Sequence, residues 1–170
     1  MGPDGPEWPN DVARVADALR AAFPDEFGTA RVDVDAGTGT VRFKGEIPAG
    51  AAAIAAGVPQ VRLAGGAGFS EGDLAGATTT YLAAVHAAFD PARVVVAEAD
   101  QETGRILVRV GSALDPGVVS APLTAGEVAA VRAAALAVDP LPPGLSLELE
   151  FAADAELDLV PPWGPEPSGR

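Results

Sequence analysis

The chain has 170 residues, 48% hydrophobic and only 5% aromatic, with a formal net charge of −13. That length holds one sizeable core or two small modules and excludes a large multidomain enzyme. The acidic balance opposes binding to nucleic-acid phosphates and anionic membranes, and the lack of cysteine excludes disulfides, thiolate nucleophiles and cysteine-ligated metal centres.

Much of the apolar content is alanine and valine, which implies small core side chains in close backbone contact. Charged residues, at 21%, are too few and too interspersed with apolar runs for wholesale disorder. Lys44 is the sole lysine. The arginine bias, with the alanine, glycine, proline and valine load, points to a GC-rich bacterial or phage source. The segment from Met1 to Trp8 is acidic and broken by prolines, unlike a signal peptide. No window approaches the roughly 18 uninterrupted apolar residues of a membrane span. These features lead to the expectation of a cytoplasmic protein.

Residues 1–10 read as an irregular arm. Asn10 or Asp11 can cap a helix in which Val12, Val15, Ala16, Leu19 and Phe23 form one apolar stripe, ended by Pro24. Ala30 to Asp35 alternates as a strand, Ala36 to Gly39 is a turn, and a second strand runs through Val41 and Phe43 to Lys44. Pro48 opens a short alanine-rich helix that ends before Gly57. Val58 to Leu63 reads as a strand, and the glycines of 65–68 read as a flexible hinge. Ser70 and Asp73 form an N-cap pair for a helix over about 71–89, with a break allowed at Gly76.

The pattern then returns. Arg93 to Ala97 and Arg105 to Val110 form strands around a turn at Asp100 to Gly104. Thr124 and Glu127 stand in capping-box spacing before a helix buried through Val128, Val131, Ala135 and Val138. Leu145, Leu147, Leu149 and Phe151 alternate with Ser146, Glu148 and Glu150 as a half-buried strand.

Each half therefore reads helix, hairpin, helix, strand. The expected fold is α+β, a tandem repeat of these modules with antiparallel sheet or sheets and helices packed on one face. The expected divisions are an arm at 1–10, modules at 11–68 and 69–153, and an acidic proline-rich tail at 154–170.

The hairpin residues Asp33, Thr38, Gly39, Val41 and Phe43 carry a resemblance. So, more loosely, do Asp100, Thr103, Gly104, Ile106 and Val108. This unit resembles the small α/β modules in propeptides of secreted bacterial chymotrypsin-like serine proteases. The likeness covers about half the chain and implies a fold, with an inhibitor or folding-helper role as one functional expectation. The chain is expected to depart from that family, since the sequence reads without a signal peptide and without a following protease domain.

Candidate chemistry is sparse. His86 is the single histidine and no Gly-x-Ser-x-Gly elbow accompanies it. Glu98, Asp100 and Glu102 alternate as calcium ligands could, but fail the EF-hand pattern. Asp33 and Asp35 share a strand face, where solvent is the simplest partner. The stretch Leu63 to Asp73 is glycine-rich without a phosphate-loop lysine. No catalytic, cofactor-binding or metal residues are assigned, and no cofactor is expected.

Trp8 and Trp163 fall in proline-rich arms. In the tail, Leu157, Leu159, Val160 and Trp163 are spaced among Asp154, Glu156, Asp158 and Glu166. Charge that steers and anchors that hold are the marks of a docking segment. These residues and Trp8 are the candidate docking set. The expected function is a non-enzymatic binding or assembly protein with a protein partner, including a basic surface, or self-association as a homo-oligomer. The alternatives are the propeptide-like inhibitor and a small carboxylate-dependent hydrolase.

Overall fold

The first helix, α1, spans Trp8–Ala22 and starts before the expected caps. Pro9 lies in its first turn, where a missing N–H costs nothing, because that N–H has no intrahelical acceptor. Asn10 and Asp11 are therefore inside the helix rather than capping it. Trp8 belongs to the first turn and is half-buried, so it is not part of an irregular arm. The computed structural model describes residues 7–88, 93–111 and 123–151.

Strands β1 (Phe27–Asp33) and β2 (Thr38–Phe43) form an antiparallel hairpin. The short helix α2 (Ala51–Ala55) leads to β3 (Val61–Ala64). Then α3 (Glu71–Ala87), β4 (Val94–Asp100), β5 (Arg105–Gly111), α4 (Ala125–Leu136) and β6 (Ser146–Phe151) repeat the order. The helix–hairpin–helix–strand repeat is present in both halves. It makes two separate three-stranded sheets, ordered β1-β2-β3 and β4-β5-β6.

The sheets are mixed rather than wholly antiparallel. β3 pairs parallel to β2, and β6 pairs parallel to β5. The cause is the helix in each connection. A helical crossover carries the chain back to the starting end of the sheet, so the next strand runs the same way.

Each sheet buries one face under its helices. Val15, Ala16 and Leu19 of α1 meet Phe27, Val41 and Phe43, with Ala51 and Ala55 of α2 closing the cluster. Phe23 and Phe27 approach Phe43 edge-on, with ring centroids 6.2 and 6.5 Å away. Half of the chain's six phenylalanines thus stand at one point, so this core is more aromatic than the overall composition implies. The second core follows the small-residue expectation more closely. Leu74, Tyr81 and Val85 of α3 and Val131 and Ala135 of α4 cover Ile106, Val108 and Val110. The Tyr81 hydroxyl donates to the Asp139 carbonyl at 3.3 Å, which satisfies its polar end.

Helix α3 is continuous through Gly76. The hydroxyls of Thr78, Thr79 and Thr80 donate to the carbonyls of Leu74, Ala75 and Gly76, at 2.7 to 2.9 Å. Polar side chains that would compete with the helix are thereby absorbed by it.

The glycine stretch between the halves is pinned, contrary to the hinge expectation. Gly66, Ala67 and Gly68 donate backbone hydrogen bonds to Gly45, Phe43 and Lys44 at 2.7 to 2.9 Å. Gly68 packs directly on Gly144, leaving no room there for two side chains. Lys44 reaches across to Asp73 at 2.8 Å, and Arg20 to Glu71 at 2.7 Å. Asp73 also completes the α3 capping box with Ser70. Burial pushes its carboxyl up, but Lys44 and Ser70 outweigh this and hold it below the usual carboxylate range. Among the described residues no helix is long and apolar enough to cross a membrane.

Candidate functional site

Most of the sequence candidates for acid chemistry are engaged in turns or surface ion pairs. Asp33 accepts from the Ala36 N–H at 2.9 Å and closes the first hairpin turn. Asp35 is in that turn and not on β1, so the two carboxylates do not share a strand face. Asp100 accepts from the Thr103 hydroxyl at 2.7 Å and from the N–H groups of Glu102 and Thr103. The Thr103 hydroxyl and then the Glu102 N–H lower its pKa. Glu98 pairs with Arg109 and Glu102 with Arg31. His86 is exposed in the last turn of α3. Among the described residues no three His, Asp or Glu side chains converge as a metal site.

The faces of the two sheets turned away from their helices differ in charge. Register equates Asp33 with Asp100, so Arg31, Thr40 and Arg62 occupy the places of Glu98, Leu107 and Glu148. On the second sheet Arg105 binds Glu148 at 3.0 Å, and Arg109 bridges Glu98 and Glu150 at 2.7 and 2.8 Å. These exposed pairs organise the surface but contribute little to stability.

Helix α4 departs from this pattern. Its start is firmly built: Thr124 accepts from the Glu127 N–H at 3.2 Å, and Glu127 accepts from the Thr124 N–H at 2.7 Å. Arg93 grips the same carboxylate through Nε and Nη2, at 3.0 and 3.2 Å. The Thr124 N–H, then Arg93, lower the Glu127 pKa to about 2. A depressed carboxylate stabilises the fold above its unfolded pKa and loses that effect as pH falls through its folded pKa. Glu127→Gln should therefore lower the melting temperature at neutral pH. The gap from the parent chain should close as pH falls from 4.5 toward about 2. A gap that is constant across that range in thermal melts would show that Glu127 does not act through its charge.

With its inner face fixed by Val131 and Ala135, α4 turns a second apolar stripe outward. Leu123, Val128, Ala129, Arg132, Ala133 and Leu136, with Ala125, line a shallow groove of about 740 Å³. Leu136 is 86% exposed, the most exposed of the large hydrophobic residues described. Arg132 stands at the groove, with its guanidinium 5.7 Å from the Phe151 ring centroid at the end of β6. Among the described residues no carboxylate pairs with Arg132.

The expected docking residues are distributed differently from this groove. Trp8 lies on α1, on the other sheet's module, while Leu157, Leu159, Val160 and Trp163 lie outside the described residues. The sequence reading missed Leu136. Its signal was a leucine beside Ala135 and therefore off the stripe that Val131 and Ala135 define. Comparison of the sequence with protein-family models and with curated proteins finds no match.

Proposed function

We propose that the chain is a non-enzymatic binding or assembly protein that docks a polypeptide segment in the α4 groove. The observation that carries this reading is Leu136, held almost fully in water at the end of an otherwise well-capped helix. A contiguous apolar groove with one cation at its edge fits a segment that presents aliphatic or aromatic anchors beside acid. Asp33, Glu98, Asp100, Glu102 and Glu127 are engaged in turns, a cap and ion pairs, which weighs against the hydrolase alternative.

Selection of peptides from a random display library on the full chain tests the reading. The expected ligands carry apolar anchors next to Asp or Glu. Leu136→Asp should weaken them by about tenfold or more, a loss of about 1.4 kcal/mol. Ligands that bind the parent and Leu136→Asp equally would move the docking surface elsewhere. Hydrolysis of a model substrate, lost on replacing one carboxylate in a folded variant, would replace the reading with the enzymatic one.

A further inference from the structure

We infer that the groove on α4 has an occupant within the same chain: the segment 157–163, docked in cis as a competitor for the external partner. This rests on the proposed docking function of α4 and adds its regulation.

Three observations converge. The first is position. The described chain ends at Phe151, whose ring lies against Arg132, and Arg132 lines the groove. The last described residue before the C-terminal segment therefore stands beside a residue of the groove. The second is reach. A helix of 12 residues is about 18 Å long, whereas the 12 residue steps from Phe151 to Trp163 can extend about 40 Å. Every part of the groove is accessible without moving β6.

The third is complementarity. Leu157, Leu159, Val160 and Trp163 are the apolar anchors that the groove calls for, and Asp154, Glu156 and Asp158 supply acid for Arg132. The stretch 112–122, which precedes Leu123 in the sequence, holds one acidic residue, Asp115, and no aromatic one. It offers much less charge and no ring. Tethering does the rest. A segment joined by a short flexible link has an effective concentration on the order of mM, so individually weak anchors suffice. An external partner must then displace it, and its apparent affinity is reduced by the fraction of grooves left open.

The test uses the full chain with Trp8→Phe, which leaves Trp163 as the only tryptophan. Its emission should be blue-shifted and shielded from a soluble quencher, independent of protein concentration, with a monomer mass in sedimentation. Adding Leu136→Asp should return it to the emission of solvated indole, while Leu136→Met should not. Circular dichroism and the melting temperature confirm that each variant is folded. In a second arm, Leu157, Leu159, Val160 and Trp163 are all replaced by serine in the full chain. That variant should bind a display-selected anchor peptide about tenfold more tightly than the parent.

Solvated emission of Trp163 in the folded Trp8→Phe chain overturns the inference, as does equal peptide affinity of parent and serine variant. Shielding that appears only as concentration and mass rise makes a second copy the occupant, and also overturns it. In each case peptide binding that still depends on Leu136 leaves the docking function standing. Peptide binding independent of Leu136 removes that function itself.

Discussion

Phe43→Ala is expected to cost about 3–5 kcal/mol, the largest loss from any single truncation in the first module. Phe43 is fully buried, sits on the central strand of its sheet, and receives the edges of both Phe23 and Phe27. Truncation removes the transfer energy of the ring and leaves a cavity under α1. The surrounding residues close it poorly, because β2 is held on both sides by β1 and β3. For a chain of this length such a loss lowers the melting temperature by about 10 °C or more. Phe23→Ala is the internal comparison. Phe23 is only half-buried, so its truncation should cost distinctly less. Urea unfolding of both variants measures the difference. Equal losses, or a Phe43→Ala cost below about 1 kcal/mol, would show that the first core is not centred on this ring.

Gly104→Ala is expected to cost about 2–4 kcal/mol, through two separable effects. Gly104 has φ +70°, a conformation that disfavours any residue with a Cβ. A Cβ there would also lie 2.4 Å from the Gly144 carbonyl oxygen and 2.6 Å from Cε1 of Phe69. The carbonyl belongs to backbone at the junction of the two halves, so it cannot yield as a flexible side chain would. The Gly104 carbonyl itself accepts from the Ser146 N–H at 3.0 Å, so displacement also pulls on the start of β6. Gly37→Ala separates the effects. Gly37 closes the equivalent turn at φ +64° with nothing within 4 Å of a new Cβ. It should show the conformational cost alone, about 1 kcal/mol. If denaturant titrations give the two variants the same loss, the glycine junction is not close-packed in solution.

The two turn glycines also show where letter matching misleads. The sequence offers Thr38-Gly39 and Thr103-Gly104 as the repeated pair, but register places Gly37 opposite Gly104 in the repeat. Asp33 and Asp100 each precede a four-residue loop whose last residue is the glycine with positive φ. Gly39 falls instead inside β2, where the position equivalent to Ile106 is glycine because Val12 of α1 fills the space. The order of elements was therefore a sounder guide to the repeat than its residues. Topology is set by many positions together, while each letter answers to one local contact.

Local physics was legible wherever a single element settles it. The capping boxes of Ser70 with Asp73 and Thr124 with Glu127 are intrinsic to a first helical turn, and both are present. The alternation of Leu147, Leu149 and Phe151 with Ser146, Glu148 and Glu150 follows from the two-residue period of a strand half-covered by helices. What the sequence alone could not decide were relations between elements distant along the chain. The direction of β3 and β6 depends on which end of the sheet each crossover helix delivers the chain to. The glycines of 65–68 look flexible as a string, yet the carbonyls of 43–45 and the backbone of Gly144 hold them. Leu136 reads as one more apolar residue on an apolar helix. Only packing of Val131 and Ala135 against the second sheet fixes the helix rotation that leaves Leu136 facing water.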